Sequence, residues 1–309
     1  MYTNELAINK VNNINAYLIS APNVFILSRN KPIYETPKMD FGNMPNDSGF
    51  LSNYSDEMKE QIEKEYPIAK KMFKRFIGAS EFINNKSRWC LWLKDISPSE
   101  IKQVPPILNA IKEVQKVRFE SKREATKKLA ETPYLFGEIR QPSGDYLVVP
   151  RHSTENRRYI PIGYMKKDII CGDANLLLEN ATLYNFGILT SNVHMAWMRV
   201  VAGRIKSDYR YSSSVVYNNF PWCNPTDKQK IKIELAAQAI LDARNLYPKS
   251  SLADLYDELT MPPELRKAHQ QNDKAVMEAY GITKDDLAFF SEEACVAELM
   301  EKYQELTSK

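Results

Sequence analysis

The run "GRIKSDYRYSSSVVYNNFPW", residues 203 to 222, places Arg204, Lys206, Asp208 and Arg210 at alternate positions. In a β-strand alternate residues share a face, so the four charges project together while Ile205, Ser207, Tyr209 and Tyr211 point the other way. Contacts to phosphate require cations only, which leaves Asp208 without a purpose on a merely electrostatic strand. Base reading supplies one. In the major groove an Asp accepts from cytosine N4 while a Lys or Arg donates to guanine O6 and N7. Lys206 and Asp208 can therefore address the two halves of one G·C pair, with Arg204 and Arg210 on flanking phosphates or bases. Taken by itself the spacing favours a plainer arrangement, a surface strand whose Lys and Asp neutralise each other. The aromatic residues that follow, Tyr209, Tyr211, Tyr217, Phe220 and Trp222, have faces on which unpaired bases can stack. At strand spacing, however, aromatics belong mostly to cores and sheet faces, and that reading is preferred. His194 and Trp197, one helical turn apart, likewise read as a buried helix face rather than a catalytic pair.

Other chemistries lack their groups. With ten glycines in the chain, no GxGxxG or GxxxxGK[ST] loop exists to cradle a phosphate. GxSxG, HExxH and the HxE with CxxC of a zinc deaminase are absent too. A nuclease metal site cannot be assembled from the dispersed acids, although carboxylates can meet from distant positions. The cysteines Cys90, Cys171, Cys223 and Cys295 and the histidines His152, His194 and His269 are scattered singly. They spell neither a zinc site nor a disulfide framework, and a reducing, cytoplasmic compartment is expected. The opening "MYTNELAINK" lacks a basic-then-apolar signal, and no apolar run approaches the roughly 18 to 20 residues of a membrane span.

The elements that must position these residues form an α+β pattern. At 309 residues with 43% apolar side chains, the chain can hold two ordinary domains. Residues 1–222 carry 31 Lys and Arg against 23 Asp and Glu, and residues 223–309 carry 11 against 16, which points a polyanion partner at the first part. Residues 12 to 54 read as loops with one or two strands around runs such as "VFIL". Helices follow: Ser55 caps one, Pro67 opens the next, which Gly78 ends, and Ser97, Pro98 and Glu100 start another with a capping box. Residues 106 to 131 read as one long helix carrying Lys112, Lys116, Arg118, Lys122, Arg123, Lys127 and Lys128. Interleaved glutamates make it a solvated, salt-bridged helix in preference to a phosphate contact. From 134 to 170 short β-type runs indicate an antiparallel sheet. "TSNVHMAWMRVVAG" is a helix from Ser191 to a stop at Gly203. Beyond "FPWCNP" the pattern is helical: "KIKIELAAQAILDARNL", then "NDKAVMEAYG" from an Asn/Asp cap to Gly281, then a last helix opened by Thr283 and Asp286. A mixed recognition domain with an antiparallel sheet and helices (1–222, of which 1–54 can be a linker from a preceding domain) is thus expected before a C-terminal helical bundle (223–309).

The runs "INAYLISAPNVFILSRNKPI", "MDFGNMPNDSGFLS", "FIGASEFINNKSRWCLWLKD", "ENRRYIPIGY", "FGILTSNVHMAWMRVVAGRIKSDYRYSSSVVYNNFPW" and "SLADLYDELTMPPELRKAHQQNDKAVMEAYG", in this order and over nearly the whole chain, resemble the C-terminal part of MmeI-type enzymes. That family comprises single-chain restriction-modification proteins (type IIG, subtype IIL) and related adenine-specific DNA methyltransferases that use S-adenosylmethionine. The resemblance implies a target-recognition region that binds double-stranded DNA. It also implies that Lys206 and Asp208 act as a pair specifying one base pair, with G on the strand carrying the methylated adenine. Arg210 matches another family contact position, and "CGDAN", through Asp173 and Ala174, resembles a second base-reading segment. Arg204 is expected on the DNA backbone. The family's NPPY and adenosylmethionine motifs have no counterpart here, since "NPTD" and "MPPE" lack the arrangement needed beside a flipped adenine. The chain is accordingly expected to bind no cofactor or metal itself. It is expected to work with a methyltransferase domain in cis, or in trans if the chain is naturally short, that takes S-adenosylmethionine and, for cleavage, Mg2+. Two other functions stay open at this point: an autonomous nuclease with an unrecognised metal site, and a module that docks on a separate methyltransferase.

Overall fold

The computed structural model of the protein describes residue 11 and residues 13–308. The opening "MYTNELAINK" lies outside them. In chain order the first elements are β1 (Met39–Phe41), α1 (Asp56–Glu65), β2 (Phe73–Ile77), α2 (Ala79–Asn84), β3 (Trp89–Leu91), α3 (Pro98–Ile101), α4 (Pro105–Phe119) and α5 (Glu124–Lys128). Next come β4 (Tyr146–Pro150), β5 (His152–Ser153), β6 (Gly163–Met165), β7 (Ile170–Cys171), β8 (Asn175–Glu179), α6 (Leu183–Leu189), α7 (Asn192–Val201), β9 (Gly203–Ile205) and β10 (Asp208–Arg210). The remainder is helical: α8 (Asp227–Asn245), α9 (Leu252–Leu255), α10 (Pro263–Ala279) and α11 (Glu292–Thr307). The fold is α+β, with helices beside largely antiparallel sheets and a helical C-terminal region.

A four-stranded antiparallel sheet in the order β1-β8-β4-β6 forms the centre. Every residue of β4, "YLVVP", is buried, because both faces of the sheet are covered. Leu147, Val149, Leu176 and Leu178 join the main core with α7, while Tyr146, Val148 and Leu177 turn to a smaller cluster with Phe82 and Ile77. This is the period of two that a strand imposes. The main core runs without a break from Ile19 to Tyr303, so the C-terminal helices share it with the central sheet. A second core, under α4 and the β3-β2-β7 sheet, gathers Met72, Phe73, Leu91, Ile107 and Val114.

Two polar bonds tie the C-terminal helices to the preceding region. Asp273 of α10, 5% exposed, accepts hydrogen bonds from Tyr159 Oη (2.6 Å) and from the Asn192 amide at the start of α7 (2.8 Å). Burial pushes its carboxyl up to about 6, against the pull of Tyr159, Asn192 and the nearby Arg158 and Arg199. The unfolded chain gives up this proton near pH 4 and the folded chain near pH 6. In between the folded state binds more protons, and the contribution of Asp273 to stability falls as pH rises, by roughly 3 kcal/mol in all. Asp273→Asn removes this dependence. The difference in unfolding free energy between wild type and variant should slope across pH 4 to 6 and level off above it; a flat difference would show that Asp273 keeps an ordinary carboxyl.

Several local expectations hold and several do not. Ser55 and Ser191 cap α1 and α7, and the Ser97–Glu100 box opens α3. The five aromatics of residues 209–222 are all buried, as are His194 and Trp197. Residues 67–78 are not one helix: a 3-10 segment, Pro67–Met72, passes into β2, and Gly78 begins α2 instead of ending a helix. "MFKRFI" goes extended because Phe73, Phe76 and Ile77 find sheet partners in β3 and β7. The expected long helix over 106–131 breaks after Phe119 into α4, α5 and a 3-10 turn. "VFIL" has no ladder, and the Ile26 amide donates to Tyr17 Oη (3.0 Å). Asn272 and Asp273 do not start a helix but lie buried within α10, where Asn272 Nδ2 donates to Gly187 O and Asp273 accepts from Tyr159 and Asn192. Thr283 and Asp286 close a turn before a 3-10 segment, and Ser291 caps α11.

Candidate nucleic-acid interface

Helix α7 ends at Ala202, whose amide bonds Met198, and the chain enters the charged run at once. That run is a hairpin, not the single strand its alternation suggests. β9 and β10 pair antiparallel with Asp208 opposite Ile205, Tyr209 opposite Arg204 and Arg210 opposite Gly203. Lys206 and Ser207 form the two-residue turn, and Lys206 holds φ 56°. The reversal redistributes the charges. Directly opposed residues share a face, so Asp208 and Arg210 lie on one face with Ile205, and Arg204 lies on the other with Tyr209. Lys206 occupies the tip.

The face bearing Arg204 turns toward the protein. Its guanidinium sits 4.2 Å from the Tyr209 ring centroid, donates to Ser207 O (2.8 Å) and comes within 3.7 Å of Glu155. Tyr209 and Tyr211 are buried beneath, and Tyr211 Oη meets His194 Nε2 at 2.9 Å. Full burial pushes His194 down to about 3, so it is neutral and serves as an anchor.

The opposite face is open to solvent and gains a third strand. β5 pairs with β10, placing exposed His152 directly across from Arg210. Arg151 then ties this sheet to the loop before β8. Its carbonyl accepts from the Tyr211 amide (2.8 Å), its amide donates to Ala174 O (3.3 Å), and its guanidinium donates to Asp173 O (3.0 Å). Asp173 in turn donates its amide to Asn43 O (3.0 Å), and the Arg151 guanidinium stacks 4.8 Å from the Phe41 ring centroid. Burial lowers the Arg151 pKa, and Arg210 adds to this while Asp173 opposes it. His152 is lowered by partial burial and by the cations Arg151 and Arg210, with Asp208 acting the other way. At neutral pH it therefore offers one donor and one acceptor nitrogen.

Of the residues singled out from sequence, Lys206, Asp208, Arg210, Asp173 and Ala174 thus belong to one neighbourhood, and Arg204 stands apart on the inner face. Arg151 and His152 were missed. Their signal lay in "PRHSTENRR", a cationic cluster directly after an apolar strand. Among the described residues no group of His, Cys, Asp or Glu is arranged to hold a metal ion, and no helix is long and apolar enough to cross a membrane.

Comparison with known proteins agrees with this architecture. The family model described as the MmeI target recognition domain matches residues 20–224, and that of the MmeI C-terminal domain matches residues 225–309. DNA methyltransferase A of Bacillus subtilis (strain 168) is 41% identical over 299 residues, 97% of this chain and 33% of that protein. The solved structure of the type IIL restriction-modification enzyme MmeI in complex with DNA superposes with a TM-score of 0.92 at 46% identity, covering 97% of this chain and 40% of that one. The chain spans between a third and two fifths of the length of these relatives. With the two models together covering residues 20–309, the recognition model more than half of the chain, the chain belongs to the MmeI family, as its target recognition domain followed by its C-terminal domain.

Proposed function

We propose that this chain reads base pairs in the major groove of duplex DNA, as the recognition part of a site-specific adenine-N6 methyltransferase or restriction-modification enzyme. The observation that carries the reading is the convergence about Arg151: hairpin, His152 and the 172–174 loop present donors (Lys206, Arg210, Arg151) beside acceptors (Asp208, Asp173). Base edges demand that mixture and phosphates do not. Lys206 adds to the case. Gly or Asn suits a left-handed turn position better than Lys, and the Lys side chain there stands at the exposed tip of the hairpin. In this reading Lys206 at the tip donates to guanine while Asp208 accepts from the paired cytosine. Arg210 and the Asp173–Ala174 loop address neighbouring pairs. Arg204 has N–H groups left over from its bond to Ser207, and these can meet a backbone phosphate.

Residues 1–222 then do the recognising, with β1 already part of the central sheet instead of a linker, and residues 223–309 brace the core. S-adenosylmethionine, and Mg2+ where the parent cleaves, serve that other half, and neither is assigned a site in this chain. Asp208 and Arg210, two residues apart on one face, are separated by about 6.8 Å, or about two base-pair steps of 3.4 Å for a strand running along the groove. The test is selection of bound duplexes from a randomised pool by the chain. Wild type should return a fixed G·C pair, and Arg210→Ala should relax a different pair two positions away. Recovery of no preferred sequence, at low salt and with ample protein, would overturn the proposal.

A further inference from the structure

Helices α4 and α5 carry the basic residues that the recognition surface does not use. The break after Phe119 folds α5 back beside α4, and an open groove of about 650 Å3 lies between them. Lys112, Lys116 and Phe119 line one wall at helical spacing, and Lys127 and Lys128 line the other, with Glu131 at one end. Phe119 is 72% exposed. Among the described residues Lys127 pairs with Glu124 (2.9 Å), whereas Lys112, Lys116 and Lys128 have no carboxylate within 4.0 Å. The solvated, salt-bridged helix expected from sequence is therefore not what this face presents: three ammonium groups without a carboxylate partner among the described residues share the groove with an exposed phenyl ring.

The groove is also fixed to the reading surface. Arg118, next to Phe119, is fully buried and donates to the carbonyls of Pro45 and Asn46. Three residues earlier, Asn43 O accepts the Asp173 amide. Three residues span at most about 10 Å, so the path from the reading loop to Phe119 is on the order of 20 Å, or roughly six base pairs of duplex. A duplex read at Asp173 and Asp208 carries phosphates over that distance, at one charge per roughly 1.7 Å of axis.

We infer that the α4–α5 groove is a second DNA contact, in which Lys112, Lys116 and Lys128 hold backbone phosphates flanking the read bases and Phe119 packs on the sugar edge. The inference rests on the recognition reading above and extends it to a stretch of duplex in which sequence is not read. All four side chains are exposed, and their replacement leaves both cores intact.

The experiment compares the whole chain with the Lys112→Gln/Lys116→Gln/Lys128→Gln variant, and separately with Phe119→Ser. The probes are two duplexes bearing the sequence that wild type selects: one trimmed to the read bases, one extended by about ten base pairs on each side. Wild type should bind the extended duplex at least tenfold more tightly at low salt. The triple variant should lose that advantage, and its plot of log affinity against log salt should flatten by about two to three, at roughly 0.9 per phosphate contact. Its selected sequence should stay the same. Phe119→Ser should weaken the extended duplex alone and leave the salt slope unaltered. An unchanged slope, or an equal loss on both duplexes, overturns the inference while leaving the recognition reading intact. Failure of wild type to select any sequence overturns that reading and this inference with it.

Discussion

Exchanging the two charges at the hairpin tip, Lys206→Glu together with Asp208→Arg, is expected to turn the preferred G·C pair into C·G and leave the rest of the selected sequence unchanged. Lys206 sits at the turn and Asp208 is the first residue of β10, so in the proposed reading both side chains enter the groove with the hairpin tip. A donor at one position and an acceptor at the other define an orientation across a base pair. Inverting them presents the acceptor where guanine O6 and N7 stood and the donor where cytosine N4 stood. Each misread pair costs about 1 to 3 kcal/mol, so wild type should prefer G·C by roughly 5- to 150-fold and the double variant C·G by a similar factor. Single variants should lose affinity without gaining a new preference, because two like charges then face one pair. Asp208 also accepts a long bond from the Glu155 amide (3.4 Å), and Asp208→Ala separates this local contact from readout. It should broaden the preference at one pair with little change in thermal stability. A double variant that still selects G·C would remove Lys206 and Asp208 from the reading surface.

The hairpin also marks where sequence reasoning runs out. Alternation of charged and uncharged residues correctly indicated extended chain, and the aromatics were correctly sent to the core. Nothing in "RIKSDY" announced a reversal, because two-residue turns are recognised by Asn-Gly, Asp-Gly or Gly at the positive-φ position, and here Lys206 takes it. The consequence was a wrong face for Arg204 and a right one, by different geometry, for Asp208 and Arg210. The break in the 106–131 helix was hidden for a similar reason. The run is rich in Lys and Glu, which are good helix formers, and the break falls at Ser121, whose Oγ accepts the Arg123 amide (3.2 Å). Asn272 and Asp273 mimic a helix cap in sequence because such residues compete for backbone amides. In the fold Asp273 does hold a helix-start amide, but that of α7. The juxtaposition of Asp173 with the hairpin depends on pairing by Arg151 across 22 positions, a contact with no local trace. The overall family resemblance carried the expectation for Asp173 and Ala174, and periodicity did not.

Replacing Arg118 by Ala is expected to have the largest effect on stability. Its guanidinium, with no exposed surface, donates to five backbone carbonyls: Asn46 (2.9 Å), Pro45 (3.0 Å), Leu129 (3.0 Å), Thr132 (3.1 Å) and Leu135 (2.7 Å). These carbonyls lie on two segments, ahead of α1 and after α5, and among the described residues those of Asn46 and Leu135 accept from no backbone amide. Burial lowers the pKa of Arg118 and Asp47 opposes this, yet a guanidinium stays charged in proteins. Ala leaves a cavity and strips the Asn46 and Leu135 carbonyls of their donor, whereas Pro45, Leu129 and Thr132 keep the amides of Gly137, Thr132 and Leu135. At about 1 to 3 kcal/mol for each of these two orphaned groups, with the cavity added, the loss is roughly 4 kcal/mol, a large part of a typical 5 to 15. Arg118→Lys, with three donors on one nitrogen, can satisfy some of the five and should cost about half as much. Urea unfolding of the three proteins measures the series, and a loss below about 1 kcal/mol for Ala would show that these carbonyls do not depend on Arg118. The Lys variant carries the argument to function. Pro45 and Asn46 continue into Asn43, which receives the Asp173 amide, so a folded Arg118→Lys protein should exchange the Asp173 amide faster. Its sequence preference should weaken at the pair read by the 172–174 loop before it weakens at the pair read by Lys206 and Asp208, since the hairpin is held independently by β5 and the buried Tyr209 and Tyr211.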